Sequence, residues 1–495
     1  MVENNISILF SFIIYLAFML LIGWIFYRRT QNLADYILGG RGLNTWVTSM
    51  SAQASDMSGW LLLGLPGYAY LAGMEAGWIA IGLGVGTYLN WKLVARRLRR
   101  YTEMAGDSIT LPDYFENRFR DRSKILRIVS ALFILIFFLI YTSSGFVAGA
   151  RLFSTVFGLS YPLALLIGAF VIIAYTFLGG FMAVSWTDFF QGTIMFFAVL
   201  IVPVMGIQAL GGLHSFKLSV QQINPALLGL FTGADGKGLS MVAIISLAAW
   251  GLGYFGQPHI LARFMAIRSA EKIKRARHIA MVWVIISLAG AVMVGIIGRV
   301  YLKTFLAGVK SETIFMELVN ALTPPLLAGI LLAAILAAIM STADSQLLVT
   351  SSAITEDFYR VLFRKKAGSK ELLWVGRLAV LAVAAVAYVI ALDPGSSVLG
   401  LVAYAWGGFG AAFGPLVLIS LFWQRMTRNG ALAGIVVGGL TVLIWKHLQG
   451  GLFDMYEIVP GFLFSCLTIF TVSLLDRPPA QSILDEFHRI HKSSS

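Results

Sequence analysis

Ser51-Ala52-Gln53-Ala54-Ser55-Asp56-Met57-Ser58-Gly59-Trp60 interrupts, with polar side chains and a glycine, an apolar run that extends from 45 to 66. A helix needs about 20 apolar residues to cross the hydrocarbon core, so the run is long enough to do so. Serine and aspartate side chains compete for the backbone's own hydrogen bonds, which makes the centre of this run a poor helix in lipid. Two readings are open. The segment is a regular helix facing a polar bundle interior, or it unwinds near the midplane. Unwinding frees carbonyl oxygens for a cation and exposes a half-helix N-terminus to an anion.

A second weak stretch lies in the run 240–256: Trp250-Gly251-Leu252-Gly253-Tyr254-Phe255-Gly256-Gln257-Pro258. Its glycines match G-x-G-x-x-G, but no strand precedes them and no βαβ unit surrounds them, so the dinucleotide reading is rejected. Close helix packing and a second unwound helix both remain. The two weak runs are the second and seventh apolar runs. An odd offset sends them across the bilayer in opposite directions, and paired interrupted helices of inverted orientation point to an inverted-repeat secondary transporter.

Composition agrees with a bilayer. The chain has 495 residues, of which 58% are hydrophobic and 12% charged, where soluble domains carry about 25% charged residues. Thirteen apolar runs are long enough to span: 6–27, 45–66, 70–93, 126–150, 161–183, 187–210, 240–256, 279–302, 325–349, 372–392, 397–423, 429–448 and 456–475. Lipid cannot satisfy an open backbone, so each is expected to be a helix. With the N-terminus outside, all but seven of the 37 basic residues fall on the inner side; the seven are Arg151, Lys217, Lys237, Arg299, Lys303, Lys310 and Lys446. That bias fixes the expected orientation, with the C-terminal tail inside. The first run is longer than a signal-peptide core, has no basic region before it and runs into Arg28 and Arg29, so it is expected to be retained.

The expected organisation is therefore an all-α polytopic membrane protein with 13 transmembrane helices. Residues 1–44 hold span 1 and the first inner loop. Residues 45–211 hold spans 2–6 as one repeat, and 212–426 hold spans 7–11 as the other. Residues 427–495 hold spans 12–13 and the polar tail. The net charge of +13 raises nucleic acid as a partner, but the basic residues lie in loops between apolar runs, which excludes it. The single cysteine, Cys466, allows neither an internal disulfide nor a cysteine metal site.

Ionisable residues inside a bilayer are costly and functional by default. Asp56 lies in the weak part of span 2, Asp188 at the start of span 6, and Asp344 in span 9 within Met340-Ser341-Thr342-Ala343-Asp344-Ser345-Gln346. Asp188 also reads as an ordinary N-cap acid, and Asp344 as a snorkelling or internally paired carboxylate. A hard cation such as Na+ takes oxygen ligands. Carbonyls near Ala54 and Met57, combined with the Ser341 and Thr342 hydroxyls, fit that chemistry. Helical serines and threonines also bond back to the carbonyl four residues earlier, so both readings stand. Trp60, Tyr141, Trp250 and Tyr254 sit near the weak spots, as packing residues or as aromatic faces for an apolar ring beside an amine.

At these residues the chain resembles the bacterial sodium/proline symporters of the sodium:solute symporter family. The likeness runs through Asp35-Tyr36-Ile37-Leu38-Gly39-Gly40-Arg41, Ser55 to Leu63 with Gly64-Leu65-Pro66-Gly67, and Asn90-Trp91-Lys92-Leu93. It continues through Thr110 to Phe115, Ala183 to Asp188, Gly251 to Phe264, Ala353 to Asp357, and Gly407 to Gly414 ahead of Pro415. The resemblance implies a leucine-transporter-type 5+5 inverted repeat with discontinuous spans 2 and 7. It implies a sodium site from the backbone of Ala54, Met57 and Ala338 with the side chains of Ser341 and Thr342. It implies roles for Asp56, Ser58, Gly59 and Asp188 in sodium-dependent transport, for Arg41 in coupling, and a proline pocket at Trp60, Tyr141, Trp250 and Tyr254 with Pro258 close by. Proline carriers vary at Asp344; with Asp188 and Ser345 this acid forms a candidate second cation site.

The function so implied is sodium-coupled uptake of L-proline by alternating access across a bacterial cytoplasmic membrane. Sodium is the co-transported ion, no organic cofactor is expected, and the chain is expected to work as a monomer. Three alternatives are weighed against it: another substrate of the same family such as pantothenate or a sugar, a passive channel, and a membrane enzyme. No repeated carbonyl filter motif supports a channel. No metal-ligand spacing or G-x-S-x-G elbow supports an enzyme, and His214, His259, His278, His447, His488 and His491 are scattered. The absence of a P-loop argues against ATP as the energy source.

Overall fold

The computed structural model describes residues 2–27, 33–176 and 180–494. Among them the architecture is helical, and the two β-bridges, Leu43 with Ile267 and Thr232 with Gly238, are isolated. Ten helices are long and apolar enough to cross a membrane, or 11 when the bent pair Met241–Gly256 and Pro258–Ala266 is taken as one span. The thirteen expected are not reached by this measure. The helix Tyr161–Thr176 is short for a crossing and stops at the undescribed residues 177–179. Trp60–Met104 is one helical stretch of 45 residues where the sequence has two runs. At about 1.5 Å per residue that stretch would far exceed a bilayer if straight. It turns instead at Gly73, whose φ of +73° suits glycine. Arg28 and Arg29, expected at the inner end of span 1, lie outside the described residues.

The two weak stretches are the two breaks in the bundle. Asn44 starts the helix Thr45–Asp56 by accepting from the Val47 amide, at 2.9 Å. The helix stops at Met57 (φ −83°, ψ 75°), and the Ser58 amide turns to Asp56 O at 2.9 Å. The chain resumes as a wide turn over Trp60–Gly64 and continues as Leu65–Ala72. In the second stretch, Ser240 caps Met241–Ala248, a tight helical turn runs over Ala249–Gly256, and Gln257 is extended. Pro258 then opens Pro258–Ala266, where its missing N–H costs nothing, and the halves meet at 45°.

The glycines of the second break also serve close packing, so both readings of that stretch hold. A Cβ on Gly251 would fall 2.2 Å from Gly82 O, one on Gly82 2.1 Å from Ala248 O, and one on Gly86 2.2 Å from Gly251 O. The backbones of Gly77–Leu89 and the broken helix thus touch directly, as in small-residue interfaces in lipid. The interior of the bundle is made by Pro325–Phe363 and Val398–Phe422, whose most apolar windows are 83% and 89% buried. Span 1 and the last two apolar helices, Arg428–Trp445 and Ile458–Leu475, are 39% buried and lie outward.

Candidate functional site

The first break faces span 9. Ser341 Oγ donates to Ala54 O at 2.8 Å and lies 3.2 Å from Ala338 O, and Thr342 Oγ1 reaches Ala54 O at 3.3 Å. Two carbonyls and two hydroxyls therefore converge from chain positions 287 residues apart. All are buried. Such a donor set suits a small hard cation, since hydroxyls that now donate to carbonyls can turn their lone pairs to an ion. Met57 stands at the break itself and is fully buried. Gly59 lets the helices close on this point: a Cβ there would lie 2.9 Å from Ala148 Cβ and 3.3 Å from Ile339 Cγ1. The Ser58 hydroxyl lies 3.4 Å from the Trp60 amide.

The carbonyl of Asp56, which accepts from the Ser58 amide at the break, also accepts from Trp60 Nε1 and from the Tyr141 hydroxyl, both at 3.1 Å. Its carboxylate Oδ2 accepts from the Tyr254 hydroxyl at 2.6 Å, and Oδ1 has no hydrogen-bond partner. The structure thus joins the two broken helices through Asp56 and Tyr254. Around them stands an aromatic box: Trp60 and Trp250 have ring centroids 6.2 Å apart, Trp250 and Tyr456 5.7 Å, and Tyr254 and Trp406 5.1 Å. Trp406 Nε1 donates to Trp250 O at 2.7 Å. Sequence reasoning found Trp60, Tyr141, Trp250 and Tyr254 but missed Trp406 and Tyr456. Trp406 adjoins the quoted Gly407–Gly414 run, which was the available signal. Pro258 lines a separate cavity with Thr110, Ala262, Met265 and Asp357.

Asp188 is not an N-cap. It lies inside the helix Phe181–Ala209, which Gly180 caps. Fully buried, its Oδ2 accepts from Ser51 Oγ at 2.6 Å and from Arg263 Nη2 at 3.1 Å. The same guanidinium bonds Ser345 Oγ at 2.5 Å, Ser51 Oγ at 3.0 Å and His259 O at 3.0 Å. Ser345 Oγ lies 3.4 Å from Asp344 Oδ1. Asp188, Asp344 and Ser345, named together from the sequence, gather around Arg263, which the basic-residue count assigns to an inner loop. The structure buries Arg263 completely, in the second half of the broken span 7. A buried carboxylate pair needs a counter-charge, and that need was the signal.

Arg41 is not at this centre. It sits at the end of Pro258–Ala266 away from the break and donates to Met265 O at 2.7 Å, Ser108 O at 3.0 Å, Thr102 Oγ1 at 3.2 Å and Asp107 Oδ1 at 2.9 Å. Its cation meets the Met265 carbonyl at the C-terminal end of Pro258–Ala266, where the helix dipole favours positive charge. Arg41 thereby ties the segment after span 1 to the broken helix.

Residues 36–438 match the model of the Sodium:solute symporter family. The chain belongs to the sodium:solute symporter family. It is 55% identical over 484 residues to the "Sodium/proline symporter" of Escherichia coli (strain K12), covering 97% of this chain and 95% of that one. It is 53% identical over 472 residues to the "High-affinity proline transporter PutP" of Bacillus subtilis (strain 168), covering 95% and 98%. A solved Na+-coupled sialic acid symporter in a substrate-bound outward-open state superposes with a TM-score of 0.79 at 21% identity, over 97% of this chain and 99% of that one. This last likeness establishes a shared fold. This sodium:solute symporter family member is a multi-pass membrane protein, and its family is one of symporters rather than of enzymes.

Proposed function

We propose that this chain is a secondary active transporter that couples L-proline uptake to sodium entry by alternating access. The observation that carries the proposal is the convergence of the Ala54 and Ala338 carbonyls with the Ser341 and Thr342 hydroxyls at the break in span 2. The bonds from Tyr141 and Tyr254 to Asp56 place the aromatic box directly beside that break. Sodium from outside binds these oxygens, holds the broken helix against span 9 and so preorganises the box. The box then receives the pyrrolidine ring against tryptophan faces and the ammonium against their π-clouds. Met57 contributes its carbonyl to the sodium site; Ser58 and Gly59 shape the turn. Binding of both solutes shifts the population towards an occluded and then an inward-open state. The coupling is reciprocal: each ligand tightens the other.

In this reading the chain crosses the bacterial inner membrane thirteen times, N-terminus outside and C-terminus cytoplasmic, and works as a monomer. Residues 45–211 and 212–426 are inverted repeats. Asp188, Asp344 and Ser345 form a second cation site, with Arg263 balancing one of the two carboxylates. The test is uptake of radiolabelled proline into proteoliposomes. Accumulation is expected with an inward sodium gradient and not without one. Competition by unlabelled pantothenate or a sugar but not by proline overturns the substrate assignment, and equilibration without accumulation turns the reading to a channel.

A further inference from the structure

We propose that the groove between the helices Gly77–Leu89 and Ile273–Tyr301 binds one anionic glycerophospholipid, its phosphate held by Lys92 and Arg277 and its acyl chains laid along the groove. The groove is lined by Ile81, Gly84, Val85, Tyr88, Met281 and Ile285 among others. Its apolar walls face outward: Val85 is 54% and Ile285 59% exposed. Gly84 forms an open floor, since a Cβ there meets nothing within 4 Å.

At one end the groove meets cations. Lys92 Nζ stands 5.5 Å and Arg277 Cζ 5.1 Å from the centre of the same Tyr88 ring, so two positive charges from different helices flank a residue that lines the groove. Neither has a carboxylate within 4 Å among the described residues, and Arg277 Nε is buried without a hydrogen-bond partner. The acid nearest in sequence, Glu271, is engaged by Arg100 at 3.0 Å and by Ser269 at 2.6 Å. Two cations against one ring without an acid call for an anion, and Arg suits phosphate through its forked donors. Basic pockets between membrane helices recognise anionic headgroups on this physical ground. The apolar trough leading away from the cations suits the chains of the same molecule and no soluble anion.

Native mass spectrometry of the purified full chain, titrated with phosphatidylglycerol and phosphatidylcholine, tests the site. The parent is expected to retain one phosphatidylglycerol in preference to phosphatidylcholine. Lys92→Gln with Arg277→Gln is expected to cut that preference by about 30-fold, the equivalent of about 2 kcal/mol for two cation contacts. Gly84→Leu is expected to lose the retained adduct of both lipids while keeping the parent's melting temperature, because it fills open space. Unchanged preference in the double variant overturns the proposal. So does displacement by inorganic phosphate alone, or a dimer of the chain that Gly84→Leu dissolves.

Discussion

Thr342 and Ser341 stand beside the Ala54 carbonyl, at 3.3 and 2.8 Å, and their hydroxyls are the only movable oxygens in that cluster. Removing one should weaken ion binding and leave the path of the helices intact. Thr342→Ala is expected to raise the sodium concentration for half-maximal proline uptake about tenfold, the effect of one lost polar contact, and to lower the maximal rate far less. An unchanged sodium dependence removes Thr342 from the ligand set. Asp344 is a different case: one carboxylate oxygen lies 3.4 Å from Ser345 Oγ and the other has no partner. Asp344→Asn keeps the volume and removes the charge. A steeper need for sodium, read from uptake at graded concentrations, is expected if this acid serves a second cation, and an unchanged curve discards that role. Asp56, Asp188 and Asp344 were recognisable as intramembrane acids from the chain alone. Their partners were not, because Tyr254 and Arg263 lie 198 and 75 residues away.

The two broken helices were legible at the level of elements because their cause is local. Serine, aspartate, glycine and proline weaken a helix wherever it packs. What local composition did not decide was which face of the second break packs tightly. Gly86→Leu drives a side chain into Gly251 O, 2.2 Å from the ideal Cβ. It is expected to destabilise the fold by about 1–3 kcal/mol or to abolish its accumulation. Gly84→Leu, two residues away on the open side, is expected to fold as the parent does. Comparison of the two by thermal unfolding in detergent decides; equal loss in both would mean that the helix contact is not the constraint.

For the whole molecule, two buried ion-pair clusters tie helices together. In one, Arg151 pairs with Glu312, whose carboxylate also accepts from Ser397 Oγ at 2.7 Å and from the Val398 amide at 3.0 Å. In the other, Arg127 binds Asp357 at 2.6 Å, Glu116 at 2.9 Å and Asp113 at 3.1 Å, tying the short helix Leu111–Phe119 to the ends of spans 4 and 9. Asp357 is fully buried. Arg127→Ala leaves that charge without its partner and is expected to cost about 3–5 kcal/mol, read as a lowered melting temperature. A melting temperature equal to the parent's would show that the cluster does not hold these helices together. Both clusters join elements far apart in the chain, so their charges appeared in the sequence only as loop residues.

By itself the sequence determined the solvent, the helical class, the two breaks and the residues that weaken them. Each follows from rules acting within about one span: backbone groups must be satisfied in lipid, and a few residue types resist a helix. Only the tertiary structure decided which side chains meet. It buried Arg263 against Asp188 and Ser345, brought Trp406 to the box from 156 residues beyond Trp250, and set the Ala54 carbonyl against span 9. The physical reason is that such meetings depend on how each helix is rotated and where it stands in the bundle. Those are properties of packed neighbours rather than of any one stretch of chain.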